Sequence, residues 1–315
     1  MYWGFPLDFQ LNFCSMSRAL RLATCAVLGT AMILAMPKAT AGDMGYQQGT
    51  GDCPATVVVA ARGNASKDMY TSTRYSTQSD FSSNGREGQT IRSFLQYAEA
   101  RHMAVNGGDS LLKDTYVLGL TEDDYPAEIA VPAVEEVGDI ISLIPELGGL
   151  SSSVVGSLRD SLDIGIPGAR TAVEDYEATT GCTPQYILIG YSLGATILMQ
   201  QESWLAEKGQ LAGALYMGTV HQSPGDPDVI GAVHSPGGIL GLSPWNSRVT
   251  AGTSNRILYC LPDDIACDPT PAALHRVWQE TDDSPHTQYF LNPDTEAHSD
   301  EVADRFSSWL STDQP

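Results

Sequence analysis

The chain has 315 residues, 42% of them hydrophobic, and a formal net charge of −21. That length is enough to bury a substantial core. A surface so acidic excludes nucleic acid and anionic membranes as partners held through charge, and solubility outside the cell accounts for it.

The first 41 residues read as a secretory signal peptide rather than as fold. Met16 is a candidate initiator, Arg18 and Arg21 make a basic start, residues 22–36 are mostly apolar, and Ala39-Thr40-Ala41 is a small-x-small cleavage site. The rival reading is an N-terminal membrane anchor, against which the apolar run is short for a full span, so no integral membrane segment is expected in the mature chain. Removal of residues 1–41 takes away Arg18, Arg21, Lys38 and only one acid, Asp8, which leaves the remainder more acidic still. With no Pro/Gly/Ser-rich linker and no internal repeat, residues 42–315 are expected to form a single domain with an apolar insertion at about 135–168.

Cys53, Cys182, Cys260 and Cys267 remain after the leader, an even set in an exported chain, and two disulfides are expected. Cys260 and Cys267 enclose a short loop and are paired on that ground, leaving Cys53 for Cys182. A zinc site would want CxxC spacing and accompanying histidines, which are missing.

Residues 56–61 (TVVVAA) form a continuous apolar run closed by Arg62-Gly63-Asn64, as in a buried central strand. A helix is predicted near 87–100, where Ile91, Phe94, Leu95 and Ala98 fall on one face. Strands follow at 115–120, 185–190, 213–218 and 256–260, with helices at 193–207 and about 300–311. Strands alternating with helical patterns predict an α/β fold: a three-layer α/β/α sandwich around a central, mostly parallel five-stranded sheet. Ligands of such sheets collect beyond the carboxyl ends of the strands. The 135–168 stretch, with Ile140, Ile141, Leu143, Ile144, Leu147 and Leu150 before Leu158, Leu162, Ile164 and Ile166, reads either as two packed scaffold helices or as a mobile flap over an acyl-binding cleft.

Gly190-Tyr191-Ser192-Leu193-Gly194 is the one G-x-S-x-G in the chain. Its position, where a buried strand turns into an apolar helix, is that of a nucleophile elbow, which projects the serine hydroxyl above the sheet. Such a hydroxyl needs a base, and the base an orienting acid, which in this fold follow the serine in the order acid, histidine. Asp263 and Asp264, between Cys260 and Cys267, are both candidates for the acid. His286 is the candidate base, on a loop before the final helix. His275 lies in a predicted helix, His298 reads as a solvated face, and His102, His221 and His234 come too early. An oxyanion hole is expected from the backbone N–H groups of Leu193 and of the loop after the first strand, at Asn64.

In combination these blocks resemble the cutinase family of secreted serine esterases, in its actinobacterial form. Cys53-Pro54 with Ala61-Arg62-Gly63, Tyr125-Pro126-Ala127, Cys182-Thr183-Pro184 before the elbow, the Cys-x3-Asp-x2-Cys spacing of Cys260, Asp264 and Cys267, and Pro285-His286-x-x-Tyr289 are similar to the family's blocks in order. The resemblance implies Asp264 rather than Asp263 as the acid, supports His286 and the two disulfides, and implies no metal and no organic cofactor. The expected protein is a monomer acting outside the cell or at its envelope on a lipid, polyester or cell-envelope ester. Leu193 stands where the family usually has Gln, Asn64 where it often has Ser or Thr, and the 135–168 segment is longer than in small cutinases. The length of that segment turns the expectation from cutin toward a lipid or envelope ester. Two rival readings are an acyltransferase using the same triad and an exported binding protein that kept the fold without the activity.

Overall fold

Strand β1 (Thr56–Ala61) is buried at every position after its first, because helices cover both of its faces. The computed structural model describes residues 53–64, 70–128, 152–241, 252–278 and 284–310, all within one compact unit, Gly45–Pro315. The signal peptide expected over 1–41 lies outside the described residues.

After β1 come α1 (Gln89–Val105), β2 (Thr115–Gly119), α2 (Ser152–Thr180), β3 (Gln185–Tyr191), α3 (Leu193–Met199), α4 (Glu202–Glu207), β4 (Leu211–Met217), β5 (Val229–Gly231), β6 (Arg256–Cys260), α5 (Pro271–Trp278) and α6 (Ser299–Leu310). The strands form one sheet in the order β2-β1-β3-β4-β6-β5, and every pairing is parallel. The sheet thus carries one strand more than the five expected. The addition, β5, is a three-residue edge strand hydrogen-bonded to β6, too short to show a hydrophobic period.

Successive side chains of each strand alternate between two cores. Val57, Val59 and Ala61 of β1, with Tyr186 and Leu188 of β3, pack under α2, α3 and α4 through Val173, Tyr176, Ile197 and Leu205. Val58 and Ala60, with Ile187 and Ile189, pack under α1 and α6 through Phe94, Leu95, Val302 and Phe306. Burial of both strand faces is what makes the strands read as unbroken apolar runs. The helix expected over 193–207 breaks at Gln200 and Gln201. Gln201 is buried, and its side-chain amide donates to Ile166 O of α2 (2.8 Å), an anchor that a continuous helix would carry out of reach.

Residues 135–151 of the expected insertion lie outside the described residues. From Ser152 on, that stretch belongs to α2, whose Leu162 and Ile166 are partly buried against the first core. Among the described residues no helix is long and apolar enough to cross a membrane.

Cys53 is bridged to Cys182 and Cys260 to Cys267. The first bridge ties the approach to β1 to the approach to β3 across 129 residues of sequence. A crosslink over so long a loop removes much denatured-state freedom, so the double Cys53→Ala, Cys182→Ala variant should lose about 3–5 kcal/mol of unfolding free energy in a denaturant titration.

Candidate active site

The strand order reverses between β1 and β3, and beyond the carboxyl ends at such a reversal is where open parallel sheets bind ligands. Two loops meet there. One follows β1 and carries Arg62, Gly63 and Asn64. The other is the turn from β3 into α3, with Ser192 at its apex.

The elbow at Ser192 is forced by close approach. A Cβ on Gly190 would lie 2.5 Å from Cα of Ala195, and one on Gly194 would lie 2.1 Å from the carbonyl oxygen of Ala61. Only glycine lets the incoming strand, the outgoing helix and β1 come together in this way. Ser192 adopts φ 53° and ψ −120°, a conformation that costs a non-glycine residue about 1–3 kcal/mol and that the surroundings must hold in place. One such restraint is its own N–H, which donates to Met217 O at the end of β4 (2.9 Å). Leu193 is the first residue of α3, so its N–H has no acceptor within the helix.

The loop after β1 is fastened from below by Arg62, which is buried. Its guanidinium donates to Leu120 O (2.8 Å) and Tyr125 O (3.4 Å), beyond the end of β2. Burial lowers the Arg62 pKa, and Glu122 nearby opposes that effect. A methyl group at Gly63 would sit 2.7 Å from the Tyr191 ring and 3.4 Å from Ser192 Cβ, so this loop runs directly beside the serine. Asn64 follows it, half-buried, in a turn.

Ser192 Oγ lies 2.8 Å from Nε2 of His286, and Nδ1 of the same ring lies 2.8 Å from Oδ1 of Asp264. A carboxylate can only accept, so Nδ1 carries the proton and Nε2 is left to accept from the serine hydroxyl. The three side chains, from after β3, after β6 and before α6, form one hydrogen-bonded line. That line can take a proton from Ser192 and balance the charge so produced.

Asp264 is completely buried. The N–H of Ala266 donates to its Oδ1 (2.8 Å), and the Tyr289 hydroxyl donates to its Oδ2 (2.6 Å). Tyr289 is held well above the usual phenol range, first by burial and then by the Asp264 charge, so it stays protonated and remains a donor. His286 sits in a short 3-10 turn, Pro285–Thr287. Tyr191 steadies it by donating from its hydroxyl to His286 O (2.6 Å) and by stacking its ring on the imidazole at 5.4 Å. These two tyrosines had no assigned role in the sequence. Their partners lie tens of residues away, and only the His-x-x-Tyr spacing hinted at Tyr289.

Asp263 points elsewhere. Its backbone turns through φ 61°, and its carboxylate accepts from Thr270 Oγ1 (2.6 Å) and the Arg276 guanidinium (3.2 Å). Among the described residues, His286 is the histidine that reaches Ser192. His275 is exposed on α5, and His298 faces Glu301 at the start of α6 (3.0 Å). No group of three or more His, Cys, Asp or Glu among the described residues is placed to hold a metal ion.

No family model and no curated protein matches the chain. Among solved structures it is similar to an iodinated complex of acetyl xylan esterase, with 18% identity, 82% of this chain and 100% of that one covered, and a TM-score of 0.43. It is similar also to a cutinase-like protein from Cryptococcus sp. (15% identity, 82% and 96% covered, TM-score 0.44). A third is the catalytic core domain of acetyl xylan esterase from Trichoderma reesei (16% identity, 82% and 98% covered, TM-score 0.41). Likenesses this distant transfer no residue roles, which rest on the geometry above.

Proposed function

We propose that the chain is an exported serine esterase that hydrolyses carboxylic esters through an acyl-enzyme on Ser192. The observation that carries this reading is the unbroken line Ser192–His286–Asp264, set at a strained strand-to-helix turn beyond the carboxyl ends of a parallel sheet. His286 Nε2 takes the hydroxyl proton as Ser192 Oγ attacks the ester carbonyl. Asp264 keeps the imidazole in the needed tautomer and stabilises its cation. The N–H groups of Leu193 and Asn64 receive the oxyanion of the tetrahedral intermediate. His286 then returns the proton to the leaving alcohol, and water, activated by the same nitrogen, releases the acid. No step calls for a metal or an organic cofactor.

Two disulfides fit an oxidising compartment, which supports action outside the cell or at its envelope. The substrate class within this reading is an ester of a lipid, a polyester or an envelope component. Incubation with a p-nitrophenyl alkylphosphonate tests the assignment: a covalent adduct should form on the native chain, map to Ser192 and be absent from the Ser192→Ala variant. An unlabelled native chain, or an adduct at another residue, sinks it. Hydrolysis, rather than transfer, predicts that the free acid stays the main product when a competing alcohol is added.

A further inference from the structure

Asp264 has two oxygens, and both are engaged. His286 Nδ1 lies 2.8 Å from Oδ1 and 3.0 Å from Oδ2; Oδ1 also receives the Ala266 N–H, and Oδ2 the Tyr289 hydroxyl. The Ala266 bond spans two residues inside the Cys260–Cys267 loop and moves with that loop. The Tyr289 bond comes from a different segment, the one that carries His286 itself. Residues 285–289 therefore grip one carboxylate twice, with an imidazole facing both oxygens and a phenol on Oδ2.

Packing does not explain the hydroxyl. The Tyr289 ring lies in an aromatic cluster with Tyr191 and Tyr259, at 5.9 and 5.4 Å, where a phenylalanine ring would pack as well. A hydroxyl buried there costs free energy unless it is bonded. Its bonds run in sequence: Leu261 N–H donates to Oη (3.0 Å), and Oη donates to Asp264. The backbone at the start of the acid loop is thereby coupled through the phenol to Oδ2 of the acid.

We propose that Tyr289 is a positioning residue of this site, holding the plane of the Asp264 carboxylate so that its two oxygens stay aligned with His286 Nδ1 as the imidazolium forms. The proposal rests on the esterase reading. Tyr289 touches no reacting atom and acts through the acid. Its hydroxyl matters when charge develops on His286, not when substrate binds.

The test compares Tyr289→Phe with Tyr259→Phe on a short p-nitrophenyl ester, with Ser192→Ala alongside. Tyr259 is a neighbouring buried tyrosine whose hydroxyl lies 2.6 Å from Glu296 Oε1 and 2.7 Å from Ala297 O, away from Asp264. Tyr289→Phe should lower kcat about tenfold with KM within about twofold, the size expected for one buried bond to a charged group. Tyr259→Phe should lower the thermal midpoint and leave kcat unchanged. An unchanged kcat in Tyr289→Phe overturns the proposal, as does an equal loss in both variants. Should the phenylalanine variant not fold, Tyr289→p-aminophenylalanine keeps the ring and a weaker donor. It should then show a reduced kcat at constant KM, and wild-type kcat in that variant is equally fatal. If Ser192→Ala retains full turnover, the esterase reading itself has failed, and that result is distinct from any behaviour at position 289.

Discussion

Ser192→Ala should lower kcat for short p-nitrophenyl esters by about a million-fold, the scale seen when the nucleophile of a serine triad is removed. Without the hydroxyl no acyl-enzyme can form, and His286 has no proton to take. The remaining rate over water should come from whatever the oxyanion donors and substrate binding supply. Stability should barely move. Alanine has the same Cβ as serine, so the strain at φ 53° is unchanged, and the hydroxyl's hydrogen bond goes to a ring that solvent can reach. A thermal midpoint within about 2 °C of wild type is expected. Purified variant protein, assayed at high concentration and followed by calorimetry, checks both halves. Retained turnover would mean that another residue is the nucleophile.

The second large effect separates two adjacent carboxylates. Asp264→Asn should reduce kcat about ten-thousand-fold near neutral pH, because an amide can donate to Nδ1 and so favours the wrong imidazole tautomer. Asp263→Asn should leave kcat within about twofold and cost about 1 kcal/mol or less, since its partners Thr270 and Arg276 secure α5 and lie apart from the chemistry. Equal activity losses in the two variants would remove the reason for choosing between them. The assay is the same kcat measurement, with chemical denaturation for the stability term.

This pair also shows where sequence reasoning stops. Residue spacing alone admits Asp263 and Asp264 alike, and only the resemblance to cutinases separates them. The structure separates them through one left-handed residue: φ 61° at Asp263 sends its side chain toward α5, while Asp264 turns inward under His286. The long strands were readable because both faces of a central parallel strand are buried, as the runs at 56–61 and 185–190 report directly. Strand β5 was not, since three residues cannot display a period. The break between α3 and α4 depends on Gln201 meeting a carbonyl on α2, 35 residues away, which no local propensity encodes. The roles of Tyr191 and Tyr289 are hidden for the same reason, although Tyr289 stands in the block quoted with His286. An aromatic residue in an apolar stretch reads as core until the partner of its hydroxyl is known.

The order of the parts along the chain has a consequence for biosynthesis. The elbow, including its restraint at Met217 O, is complete once β4 has been made, yet His286 lies 94 positions beyond Ser192 and Asp264 lies 72 beyond it. The segment bearing that imidazole leads into α6, which packs on α1 from the front of the chain. A polypeptide still being made therefore holds Ser192 without its hydrogen-bond partner, and on the proposed esterase reading turnover must wait until the segment bearing His286 has docked.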